Sequence, residues 1–198
     1  MIEMKRISVL LLLVVLAAGS VWAQNKVLLL QNPENGNRDY VEIETSNSLQ
    51  IFDSITIEAL AKITNYSRDM TLIHKKNPSA KGRNDFFLGF RLEKAIDEKS
   101  YESIFTVHLN MKNTQVSLEK NFILELDKWY HYSVTFNHLT GKLETYISGI
   151  KFSEKVSNDK IDFNNNPWFI GVDTDSALIF FEGKDSGWNG EIDEVREV

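Results

Sequence analysis

Ile55, Ile57, Ala59, Ala61 and Ile63 alternate with Thr56, Glu58, Leu60, Lys62 and Thr64. A period of two sends the first set to one face of an extended strand and the second set to the other. A helix gathers residues three and four apart instead, so this stretch cannot bury its apolar half as a helix. The same alternation returns at Phe105, Val107, Leu109 and Met111, and at Tyr130, Tyr132, Val134 and Phe136. Shorter apolar runs at 27–30, 40–43, 72–74, 86–92, 142–148, 150–152, 168–172, 177–181 and 191–195 read as further strands.

Turn residues punctuate these runs. Asn32-Pro33-Glu34-Asn35-Gly36-Asn37 ends the first, His138-Leu139-Thr140-Gly141 closes a hairpin, and Ser148-Gly149 turns the next strand back. Residues 92–103 lack an apolar stripe at three-four spacing and are expected to form a loop between strands. Many short strands separated by turns predict an all-β chain, a sandwich or a barrel.

The first 23 residues read differently. Lys5 and Arg6 precede an apolar run over 7–18, Gly19 and Ser20 break it, and Val21-Trp22-Ala23 supplies a cleavage pattern. That order is expected of a signal peptide spanning 1–23, leaving one domain over 24–198. The apolar run is shorter than the ~20 residues of a membrane-spanning helix, so no membrane attachment is expected of the mature form. Secretion, to the extracellular space or the periplasm, follows from the same reading.

The chain contains no cysteine, which excludes disulfides, thiolate metal sites and a thiol nucleophile. Its formal net charge is −6, and removal of the leader leaves acidic residues further in excess, so general affinity for nucleic acid is not expected. No H-E-x-x-H, G-x-S-x-G, P-loop or G-x-G-x-x-G is present.

Several segments, in order, resemble the laminin-G-like jelly-roll domains of the concanavalin A-like lectin/glucanase superfamily. Asp39-Tyr40-Val41-Glu42-Ile43 and Ile55-Thr56-Ile57-Glu58-Ala59 look like two early strands of that family. Lys128-Trp129-Tyr130-His131-Tyr132-Ser133-Val134 is similar to its central W-H-H-V-A-V-T strand. Pro167-Trp168-Phe169-Ile170-Gly171 resembles P-L-Y-I-G, and Trp188-Asn189-Gly190-Glu191-Ile192-Asp193-Glu194-Val195-Arg196 resembles the closing F-x-G-x-I-D-E-V-R. The resemblance implies a two-sheet antiparallel β-sandwich with a concave face and a rim of loops. It also implies that Trp129 and Trp188 are core aromatics. Such domains often form part of a larger multidomain architecture. The fold by itself names no ligand.

Glu191 and Asp193 share one face of an expected strand, as the carboxylate pair of a retaining glycoside hydrolase would. Arg196 stands where a laminarinase-type E-x-D-x-x-E places its acid, and period two turns it to the opposite face from Asp193. No catalytic residue is therefore assigned. In related sandwiches an Asp in this terminal strand helps to hold structural calcium, which makes Asp193 the metal candidate. Trp168, preceded by Asn164-Asn165-Asn166, is the stacking candidate, and Asp173 and Asp175 are ligand-binding candidates in a neighbouring loop. These readings predict a non-catalytic module that binds a glycan or an extracellular partner. The alternatives are a laminarinase-type hydrolase and a structural or adhesion spacer.

Overall fold

The computed structural model describes residues 27–31, 39–45, 53–65, 69–77, 84–173 and 187–197. The signal peptide expected over 1–23, the strand expected over 177–181 and Asp175 lie outside those residues. Among the described residues there are twelve strands and no helix. They are β1 (Leu28–Leu30), β2 (Val41–Ile43), β3 (Ser54–Ile63), β4 (Asp69–Lys76), β5 (Asn84–Ala95) and β6 (Ser100–Asn110), then β7 (Gln115–Glu125), β8 (Trp129–Asn137), β9 (Lys142–Ile147), β10 (Ile150–Val156), β11 (Trp168–Ile170) and β12 (Gly190–Glu197).

Two antiparallel six-stranded sheets result, ordered β1-β12-β3-β8-β9-β10 and β2-β11-β4-β5-β6-β7. We call them sheet A and sheet B. The alternation of β3 is realised residue by residue, with Ile55, Ile57, Ala59, Ala61 and Ile63 buried and the residues between them partly exposed. Tyr130, Tyr132, Val134 and Phe136 of β8 are buried beside them. From sheet B, Phe86, Leu88, Phe90 and Leu92 meet this layer together with Phe105, Val107 and Leu109.

Aromatic rings lock the two layers. Tyr132 of sheet A meets Phe90 edge-on at 5.3 Å and stacks on Phe105 at 6.1 Å. Trp188, fully buried as the resemblance implied, lies 6.3 Å from the same Phe90. Such pairs add ~0.5–1.5 kcal/mol each beyond the area they bury.

Two readings of the sequence are corrected. Residues 92–103 are not a loop, because β5 runs on to Ala95 and β6 begins at Ser100. The turn between them is held by the Asp97 carboxylate, which accepts from the backbone N–H of Lys99 (2.8 Å) and Ser100 (2.7 Å). Strand β7 escaped detection. It buries Val116, Leu118 and Leu124, but Lys120 interrupts its apolar set. The Lys120 ammonium is accommodated by donating to the Phe152 carbonyl at 2.7 Å, above the Phe152 ring.

The glycine of the closing motif has a steric reason. Gly190 pairs with Ile63 at the start of β12. A β-carbon there would collide with the Lys62 carbonyl oxygen and stand 2.9 Å from the Ile63 Cα. Gly149 is glycine for another reason, its φ of +78°, with nothing within 4 Å of a β-carbon. Gly190→Ala should therefore cost roughly 2–3 kcal/mol, about 5–10 °C in melting temperature. Gly149→Ala should cost about 1 kcal/mol, through backbone strain alone. Equal losses in thermal denaturation would show that the strands simply move apart at Gly190.

Candidate functional site

The outward residues of sheet A form rows, because neighbouring strands pair without interruption at this level. Leu29 of β1, Glu191 of β12, Lys62 of β3 and Trp129 of β8 occupy one row. Asp193, Leu60 and His131 form the next. Lys62 Nζ bonds Glu191 Oε1 at 2.8 Å and lies 5.2 Å from the centre of the Trp129 ring. The Trp129 residue is 36% exposed. It is not the core aromatic the resemblance implied, since Tyr130 takes the inward position and period two turns Trp129 outward. The result is an indole beside the Lys62 ammonium, with the Glu191 carboxylate bonded to that ammonium and Asp193 and His131 in the next row of the same sheet.

Further along this face the charges saturate one another. His131 Nε2 stands 3.9 Å from Glu58 Oε1. Lys151 is shared between Glu144 and Glu154, and its bonds to those two carboxylates hold its ammonium above the usual lysine range. Tyr146 donates to Glu144 at 3.1 Å. This end is a solvated ionic lattice, whose exposed pairs each contribute little to stability.

A bulge changes the geometry of the closing strand. Asp193 pairs with Leu60 and Arg196 with Glu58, so Glu194 and Val195 stand opposite Ala59 alone, with Glu194 at a φ of 51°. The extra residue shifts the alternation, and Arg196 falls in register with the outward Glu58 rather than on the face opposite Asp193. The expectation for Arg196 is corrected by this insertion. An arginine still stands where hydrolysis would need its acid, and Glu191 is engaged with Lys62.

The stacking candidate Trp168 is placed elsewhere. It is 5% exposed, its ring 5.6 Å from Phe86 and 5.5 Å from Phe163, with Lys75 Nζ 5.0 Å over it. The asparagines before it are structural clamps. Asn164 N–H donates to Asp85 at 2.7 Å, and the Asn164 side chain donates to the Lys76 carbonyl at 2.9 Å. Buried Lys75 donates to the Asn166 carbonyl at 2.6 Å. Asp85 itself accepts from Asn77 at 2.7 Å; burial pushes its carboxyl up, against the pull of these bonds and of Lys75. Trp168 therefore serves the core and offers no stacking face on the outer surface.

Asp173 is also buried, 3.6 Å from His74 Nε2. His74 belongs to a row across the outer face of sheet B: Phe169, His74, Phe87, His108 and Ser117. Phe169 stacks on His74 at 5.8 Å, and Phe87 tilts against His108 at 5.7 Å. Asp193 is partly exposed, with Leu60 beside it and His131 beyond Leu60 in the same row. Among the described residues no three His, Asp or Glu side chains stand together. A calcium ion at Asp193 would draw the rest of its six to eight oxygens from main chain and water.

Burial pushes the His108 imidazole down to about 4, because the charged form loses its hydration. Its Nδ1 lies 2.7 Å from Ser117 Oγ. Between that value and the ordinary 6.5, the unfolded chain binds a proton that the folded chain does not, so stability falls as pH falls across this window. The loss should be roughly 3 kcal/mol and should level off below about pH 4. His108→Gln should flatten the profile between pH 6.5 and 4, read by denaturant melts.

The described fold has recognisable relatives. A family model described as the concanavalin A-like lectin/glucanases superfamily matches residues 35–197. No curated protein sequence matches the chain. Among solved structures, the CBM40 module of the Ruminococcus gnavus IT-sialidase, bound to α2,3-sialyllactose, is similar at a TM-score of 0.57 and 10% identity, covering 87% of this chain and 90% of that one. Domains LG4-5 of the mouse laminin α1 chain align at 0.56 and 8%, over 90% of this chain and 46% of theirs. A family 18 polysaccharide lyase aligns at 0.51 and 13%, over 89% of each chain. At these identities the likeness is one of fold. With the family model spanning most of its length, the chain belongs to the concanavalin A-like lectin/glucanase superfamily.

Proposed function

We propose that this chain is an exported, non-catalytic glycan-binding module that uses the Trp129 face of sheet A. The carrying observation is the outward Trp129 indole beside Lys62, with Glu191, Asp193 and His131 on the same face. A sugar ring presents an apolar C–H face and a periphery of hydroxyls. A flat aromatic ring with donors and acceptors around it matches both. Backbone pairing fixes the strands that carry these side chains, so little ordering is lost on binding.

The bound sialyllactose of the sialidase module supports the glycan reading, and the laminin domains support an extracellular one. Similarity to a lyase carries the fold but brings no carboxylate set onto this chain. Export rests on the basic and apolar order of the first 23 residues.

The experiment is a glycan array on the mature protein, followed by titration of the best ligand. Trp129→Ala should weaken binding at least tenfold and move the melting temperature by no more than about 2 °C, since the ring is partly exposed. Trp168→Ala should do the reverse, lowering the melting temperature by roughly 10 °C through a core cavity. Undiminished binding by Trp129→Ala would move the site off this face. An empty array would favour the spacer reading.

Calcium is proposed at Asp193 and is tested on the same protein. At free calcium 100 times its dissociation constant, melting should rise by ~5–10 °C, and Asp193→Ala should remove the difference from chelator. Equal melting of the wild type in millimolar calcium and in chelator would dismiss the ion.

A further inference from the structure

The two sheets do not close completely on each other. A cavity of about 290 Å³ lies between them, walled by Ile43, Ile73, Ile170 and Trp168 from sheet B and by Ile57 and Val195 from sheet A. Among the described residues of its wall, Arg196 alone is charged. This space is separate from the Trp129 face, since Ile57 points inward from β3 while Lys62 points outward.

Three features make the cavity a site rather than a packing fault. The described residues of its wall are apolar except Arg196, so water against them gains few hydrogen bonds. The β12 bulge shapes one wall, and its Glu194 is a non-glycine residue at a φ of 51°. Strain of that kind persists where the surrounding structure enforces it, and bulges re-aim side chains next to binding sites. Here the bulge delivers Val195 to the wall and leaves Arg196, in register with the outward Glu58 and more than half exposed, at the cavity's rim. The third feature is charge. Arg196 is more than half exposed and is held by Glu194 at 2.7 Å, an exposed pair that an incoming anion can replace at little cost.

We propose that this cavity binds a small alkyl carboxylate, its chain against the isoleucines and Trp168 and its carboxylate on Arg196. Size sets the chain length. The volume equals that of roughly ten waters, which suits a ligand of about ten non-hydrogen atoms. Polarity sets the head group, because a guanidinium donates and never accepts, and it pairs with carboxylates through two parallel bonds. A cationic head would meet Arg196 as a like charge.

Sodium octanoate is the probe, with octylammonium and 1-octanol as the comparison of head groups. Octanoate should raise the melting temperature saturably, shift tryptophan emission, and bind at least tenfold more tightly than octylammonium. Val195→Phe and Ile43→Phe, which fill the cavity from opposite sheets, should each abolish the effect. Arg196→Gln should bring octanoate down to the affinity of octanol. Trp129→Ala should bind octanoate as the wild type does, which separates this site from the glycan face. Non-saturable behaviour of octanoate would overturn the proposal, as would equal binding of octylammonium or undiminished binding by both filled variants.

Discussion

The contact of Tyr132 with Phe90 and Phe105 is the joint on which the sandwich rests. A sheet has one apolar face to bury, and two such faces pack about 10 Å apart with their side chains interdigitated. Tyr132 reaches across that gap from β8, while Phe90 and Phe105 sit on the paired strands β5 and β6. Trp188 meets Phe90 from the segment that leads into β12, so the end of the chain is fastened to the same cluster. The Tyr132 phenol is pushed far above its ordinary range by burial, so it stays neutral there. The outward residues of sheet A inherit their positions from this joint.

A second, polar fastening decides what Trp168 does. Asp85, Lys75 and Asn77 on the β4–β5 side hold Asn164 and Asn166, and the chain then enters β11 with the indole already turned inward. A run of asparagines before a tryptophan has the composition of a sugar site, and here it is a buried hydrogen-bond network. Buried polar groups must be paired, and these side chains are consumed in pairing one another. Trp129 has no such tether and takes the open side of its strand.

The strand pattern was legible because alternation is a local signal. β3, β6 and β8 bury the faces that their apolar residues mark. β7 was illegible because Lys120 falls in step with its buried residues, where the exposed ammonium rests on a carbonyl and a ring of another strand. The long β5–β6 hairpin was hidden for a similar reason, since its far end pairs polar residues such as Lys94 with Glu102. Of the site candidates, Glu191 and Asp193 do share a face, whereas Trp168 and Asp173 are buried. Nothing in the sequence announced the β12 bulge, which moved Arg196.

By itself the sequence determined that the chain is all-β, that its apolar residues form one core, and that its motifs belong to a lectin/glucanase-type sandwich. The first two follow from period-two patterning and turn residues, which act within a few positions of each other; the third rests on the resemblance of its motifs to that family. Tertiary structure alone decided which tryptophan is exposed, which carboxylates are paired, and where the two sheets leave a cavity. Those outcomes depend on which residue of a distant strand lies opposite, and on one inserted residue in β12. Side-chain direction reverses with every step along a strand, so a single bulge or a single pairing partner changes what a residue can touch.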